Sequence, residues 1–219
     1  MSLIVQQIID FGVPQETLAL ILMLPVVATF IAFSRQIIGV RGLGIYITLI
    51  IAYAFVATKL KYGLIIFLLV IFAASLARIL IRKTRLLYLP RMAMILTTVA
   101  FVIFLMFLLG SFLAIKGLQI ISIFPILIMI LMAERFVAVQ IERGQGVAIF
   151  LTLETLILAV ISYLIINWLW LRGILLNYPL WSFLFFTLFN LLLGKWTGLR
   201  LTEYFRFREL MEYLETPKK

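Results

Sequence analysis

Residues 147–166 read VAIFLTLETLILAVISYLII, an apolar run with a single charged residue, Glu154. A run of about 18 or more apolar residues is long enough to cross the hydrocarbon of a bilayer as a helix. A carboxylate facing lipid there is expensive, so Glu154 is expected to face other helices. It lies about 10 Å in from the nearer end of the run at 1.5 Å per residue. Thr152 and Thr155 flank it and can donate hydrogen bonds. Two roles stay open from these residues. One is a proton, cation or substrate contact; the other is a polar clamp between helices, worth about 1 kcal/mol.

The rest of the chain agrees with a membrane setting. Of 219 residues, 65% are hydrophobic and 13% charged. Soluble domains run about 45–50% apolar and about 25% charged. The formal net charge is +10, which in a soluble chain would suggest nucleic acid. Here most basic residues stand at the ends of apolar blocks, where they suit anionic headgroups, and nucleic acid is set aside. The chain has no Cys and no His. Disulfides, thiol nucleophiles, imidazole chemistry and most zinc sites are thereby excluded. No cofactor, metal or catalytic residue is implied.

Seven spans are predicted, at 16–34, 43–58, 62–80, 92–112, 120–133, 147–169 and 180–194. The fold class is therefore all-α, a polytopic seven-helix bundle. The expected organisation is a short surface segment at 1–15, the transmembrane domain at 16–198 and a cytoplasmic tail at 199–219. The second and fifth spans are short for a core of about 30 Å, and the fifth, with Pro125 inside it, can equally be re-entrant. GVRGLG, residues 39–44, permits a tight turn or a close backbone approach, but a plain short loop is the simpler expectation. At the N-terminus, Leu3, Ile4, Ile8 and Phe11 can share one face of a small surface helix. The tail RLTEYFRFRELMEYLETPKK reads as an amphipathic helix for the inner surface or a partner.

Orientation follows from Lys and Arg. With the N-terminus outside, the inner segments hold fifteen of the nineteen basic residues and the outer segments four. That places the C-terminus in the cytoplasm of a bacterial inner membrane. NWLWLR and NYPLW, ending at Arg172 and Trp181, bracket the last outer turn with interfacial aromatic rings.

The inner rim is the richest polar region. Arg35, Arg41, Arg78, Arg82, Arg85 and Arg91 gather at inner ends. Glu134 and Arg135 are expected to close the fifth span, with Glu142 and Arg143 just beyond. Such groups either bind lipid headgroups, a phosphate or an acidic partner, or simply fix topology. Within the spans, Asn190 and Thr187 in the seventh and Thr29 in the first are too few for a polar substrate route but sufficient for helix packing. No nucleophile motif is present. Glu134 and Glu154 are the one conceivable pair of embedded acids.

Four stretches together resemble a known family: LALILMLPVVATFIAFSRQIIGVRGLGIY from Leu18, RLLYLPRMAMILT from Arg85, FPILIMILMAERFVAVQIERG from Phe124, and GKWTGLRLTEYFRFRELM from Gly194. It is the seven-helix membrane domain usually fused to an inactive transglutaminase-like domain. More distantly, the chain is similar to the small membrane subunit of poly-gamma-glutamate capsule synthesis. The resemblance implies a membrane partner for a cytoplasmic ATP-grasp ligase of the glutamate-adding type, holding or exporting an acidic peptide product. In fused relatives an outer globular domain precedes the helices. The short lead-in here implies a separate, outer transglutaminase-like protein, or none. Arg200, Glu203, Arg206 and Arg208 fall in a family-like stretch, as do Glu134, Arg135, Glu142 and Arg143. The leading expectation is thus a non-enzymatic membrane subunit that organises a peptide-modifying system at the inner face. A transporter or channel using Glu154, and an intramembrane enzyme, are the alternatives.

Overall fold

A computed structural model describes residues 2–81, 87–112 and 122–195, without the side chains of Leu3 and Ile4. Arg82, Arg85, Arg200, Glu203, Arg206, Arg208 and the expected amphipathic tail lie outside the described residues. The described residues form α-helices joined by short links. They are α1 (Leu3–Asp10), α2 (Gln15–Phe33), α3 (Ile45–Thr58), α4 (Leu60–Ile81), α5 (Tyr88–Phe112), α6 (Ile123–Arg143), α7 (Gln145–Ile166), α8 (Leu169–Asn177) and α9 (Pro179–Gly194). The described residues divide into two compact units, one of residues 2–41 and 165–195, the other of those between 42 and 164.

In the first unit α2 packs on α8 and α9. Met23, Leu22, Ala19 and Val26 of α2 bury against Leu175 and Leu176, with Val5 of α1 in the same cluster. Of the residues expected to share a face of α1, Phe11 does not join it. Val5 and Ile9, one turn apart, meet the core, whereas Phe11 is 89% exposed. Ser2 fixes this arrangement. Its Oγ accepts from the Val5 N–H at 3.3 Å, capping α1, and donates to the Leu176 carbonyl at 3.3 Å near the end of α8. α2 runs through Pro25 and ends in a π-helical turn, Ser34–Ile38, closed by Gly39 at φ 92°.

The predicted outer turn at 170–179 is instead mostly helix. α8 and α9 meet at an angle of 106°. Pro179 opens α9, where its missing N–H is no loss. Trp168, Trp170, Tyr178 and Trp181 around this corner are all exposed.

In the second unit α4 packs on α3, α5 and α6, and α3 also packs on α6. These helices are apolar on every side, so polarity cannot choose the inward face; side-chain size and packing choose it. On α4 Gly63, Phe67, Val70, Ala73, Ala74 and Ala77 are buried, while Ile65, Leu68, Phe72, Leu76 and Ile79 are exposed. At Gly63, α4 lies against α3 with no room for a side chain. A Cβ there would stand 2.7 Å from Phe55 Cδ1 and 2.5 Å from Thr58 Oγ1. Phe55 and Phe67 then meet edge to face, with centroids 6.2 Å apart. A single residue, Lys59, links α3 to α4, at φ 61° and ψ 142°. It is the one non-glycine residue with positive φ among the described residues.

α6 corrects the sequence reading of the fifth span. It is a continuous helix of 21 residues, not a short or re-entrant one. Glu134 and Arg135 do not close it. Phe136, Val137, Val139 and Gln140 are buried beyond them and carry the helix on to Arg143. Glu134 thus stands about 13 Å from the helix end at 1.5 Å per residue, half-buried rather than terminal.

Candidate functional site

Two polar clusters lie within the second unit. The first explains Glu154. Its Oε2 accepts the Gly42 N–H at 2.8 Å. Next to it, Thr155 Oγ1 accepts the Leu43 N–H at 2.8 Å and donates to the Leu151 carbonyl at 2.7 Å. Two successive side chains of α7 therefore hold two successive amides of the loop that leads into α3.

The need for them comes from α3 itself. At 14 residues it covers about 21 Å, short of a core of about 30 Å. Its first turn starts level with Glu154, which is nine residues into α7, or about 13 Å along it. Irregular backbone, not helix, precedes it. Such backbone survives only where its N–H groups find partners, and Glu154 and Thr155 are those partners. The glycines of 39–44 are thus more than a plain loop. Gly42 has φ 47°, and a Cβ on it would stand 3.3 Å from Thr155 Oγ1, so this is a close backbone approach. Thr152, the third residue of the expected site, is buried and its hydroxyl has no hydrogen-bond partner among the described residues. Asn190 is not part of this cluster. It belongs to the first unit, where its Nδ2 donates to Thr29 Oγ1 at 2.9 Å and ties α9 to α2.

The second cluster was not legible in the sequence. Gln140 of α6 is 1% exposed. Its Nε2 donates to Ser75 Oγ of α4 at 3.3 Å. Arg78, one turn further along α4, donates from a terminal guanidinium nitrogen to the Gln140 carbonyl at 2.9 Å. That carbonyl is among the last four of α6, which lack helical partners and carry the negative end of the helix dipole. Arg78 therefore acts as a cap as well as a charge. Beside these groups lies a cavity of about 220 Å³ lined by Ser75, Arg78, Ile79, Gln140 and Gln145. The sequence offered Arg78 as a rim cation. Gln140 carried no signal, because one amide in a helix says nothing until its neighbours are known.

Of the other expected inner-face residues, Arg35 sits half-buried in the π-helical turn and Arg41 is exposed just after it. Arg91 is half-buried in the first turn of α5. Arg135, Glu142 and Arg143 are exposed on the second half of α6. No group of three or more acidic residues able to hold a metal occurs among the described residues.

Among the described residues, five helices are long and apolar enough to cross a membrane. The molecule is an all-α polytopic membrane protein, integral to the inner membrane. Residues 3–211 match the family described as seven transmembrane helices usually fused to an inactive transglutaminase, and the chain belongs to that family. Its sequence contains neither thiol nor imidazole. No curated protein and no solved structure matches it.

Proposed function

We propose that this chain is a seven-crossing membrane subunit, N-terminus outside and C-terminus cytoplasmic, that anchors and organises a peptide-modifying system at the inner face. Its partners in this reading are inner-leaflet lipids and a cytoplasmic ATP-grasp ligase-type protein. An outer transglutaminase-like protein joins them, in keeping with the family's usual fusion. An acidic peptide would be the product handled. The observation that carries the proposal is the charge distribution. Fifteen of nineteen basic residues fall on segments that alternate to one side of the spans.

The count of seven takes the five long helices, the short α3 and the α8–α9 pair. α3 reaches seven because Glu154 and Thr155 allow its lead-in loop to enter the membrane. α8, bent 106° from α9 and ringed by exposed tryptophans, fits the outer interface. Arg35, Arg41, Arg82, Arg85, Arg91, Glu134, Arg135, Glu142 and Arg143 would form the inner recognition rim. Arg200, Glu203, Arg206 and Arg208 would dock the soluble partner, so the domain division is 1–15, 16–198 and 199–219.

The test is affinity purification of the full chain from native membranes in mild detergent, with co-purifying proteins identified. A ligase recovered with the full chain and lost on truncation after Gly198, in a chain that still folds, is the expected result. Absence of any ligase, or recovery unchanged by truncation, overturns the partner or the docking site respectively.

A further inference from the structure

The Gln140 cavity has features that helix packing alone does not require. Gln140 is 1% exposed, and its Oε1 has no hydrogen-bond partner among the described residues. Burying an amide oxygen without a donor is unfavourable, and buried polar atoms are almost always paired. The rest of the residue is held firmly, by Ser75 at the amide nitrogen and Arg78 at the backbone carbonyl. The orphan atom is thus held in a rigid frame, on a residue that lines the cavity. Exchange of the amide's O and N ends would not change this, since one end still lacks a partner.

The other lining groups define what fits. Arg78 brings a guanidinium, which suits phosphate and carboxylate oxygens. Gln145 is the first residue of α7, preceded by Gly144, which has no side chain to cap the helix. The free N–H groups of that first turn favour an anion. Ser75 adds a hydroxyl. Ile79, the remaining wall, is 58% exposed and belongs to the outward apolar face of α4, with Leu76 on the same face. The cavity therefore adjoins both a helix-end polar zone and a surface suited to acyl chains. Its volume of about 220 Å³ is that of roughly seven waters at about 30 Å³ each, enough for a phosphodiester with a short alcohol.

We infer that this cavity binds a phosphate ester that also carries a hydroxyl or ammonium donor, supplied by the headgroup of a membrane phospholipid. The phosphate oxygens meet Arg78 and the start of α7. The donor satisfies Gln140 Oε1, and an acyl chain runs along Ile79 and Leu76. A peptide carboxylate would satisfy Arg78 but would have no use for the apolar wall.

The experiment uses the full chain in phosphatidylcholine nanodiscs doped with a minor fraction of phosphatidylglycerol, with bound lipid read by native mass spectrometry. Gln140→Met keeps the volume and removes the amide; Ser75→Ala and Arg78→Gln remove one lining group each. Lys61→Gln, an exposed cation near the start of α4 and far along it from Arg78, is the control. Retained phosphatidylglycerol should fall about tenfold in Gln140→Met and Arg78→Gln, less in Ser75→Ala, and stay unchanged in Lys61→Gln. Folding is checked by the thermal midpoint; if Gln140→Met fails to fold, Ser75→Ala and Arg78→Gln decide. Equal retention in parent and folded variants overturns the site. Displacement of the lipid by soluble glycerol phosphate at comparable concentration overturns the lipid as source. Displacement by oligoglutamate that depends on Gln140 and Arg78 overturns the phosphate chemistry.

Discussion

Glu154→Leu should destabilise the protein by about 2 kcal/mol, whereas Glu154→Gln should cost less than about 1 kcal/mol. The difference comes from what each leaves at the Gly42 N–H, now 2.8 Å from Glu154 Oε2. Leucine leaves a partly buried donor without this acceptor, a penalty of about 1–3 kcal/mol, and removes a bond to a charged group. Glutamine keeps an oxygen at the same reach and loses only the charge assistance. Thr155→Val is nearly isosteric and takes the acceptor from the buried Leu43 N–H, for about 2 kcal/mol. Both bonds hold one loop, so the double variant Glu154→Leu/Thr155→Val should lose about 3 kcal/mol rather than the sum, a coupling of about 1 kcal/mol. The assay is reversible unfolding in mixed micelles by added denaturing detergent, followed by tryptophan fluorescence. Hydrogen exchange at Gly42 and Leu43 serves as the local readout. Equal loss in Glu154→Gln and Glu154→Leu would show that charge, not acceptor geometry, matters. A normal midpoint for Glu154→Leu would refute the clamp outright. Abolished ion or peptide flux in a fully stable Glu154→Gln protein would favour the transporter reading.

Gly63→Ala should cost about 2–3 kcal/mol, since its methyl would overlap Phe55 and Thr58 and force α3 from α4. Adding Phe55→Leu should recover part of that loss in the same unfolding assay. Lys59→Gly should stabilise by about 1 kcal/mol, relieving positive-φ strain of about 1–3 kcal/mol against the extra entropy of an unfolded glycine. A lowered midpoint would show that the Lys59 side chain matters more than its backbone. Thr29→Val should cost about 1 kcal/mol, and no more when combined with Asn190→Leu, because the two share one interhelical bond.

Membrane spans were easy to read because long apolar blocks survive any local detail, and α2, α4, α5 and α7 begin and end close to where hydropathy puts them. α6 was misread because Glu134–Arg135 looked like a boundary. The burial of Phe136, Val137 and Gln140 after it obeys helical spacing, a periodicity that a charged pair obscures in a one-dimensional scan. α8 was hidden by NYP and by aromatic residues that suit a turn and an interfacial helix alike. Glu154 itself stood out, being the lone acid in its span. Its partners did not, since Gly42 and Leu43 are 112 residues from Glu154 and Thr155 and take part through their backbones, which no side-chain pattern encodes.

Over residues 72–80 of α4, where Ala73, Ala74 and Ala77 lie inside and Phe72, Leu76, Ile79 and Leu80 outside, the usual idea of a conservative change is inverted. Exchanging Ala74 for leucine would pass as silent on any hydropathy scale, yet it would wedge the bundle apart. Trading Phe72 for leucine would merely swap one lipid contact for another. Mutational tolerance along this helix should therefore track volume and hardly register greasiness at all.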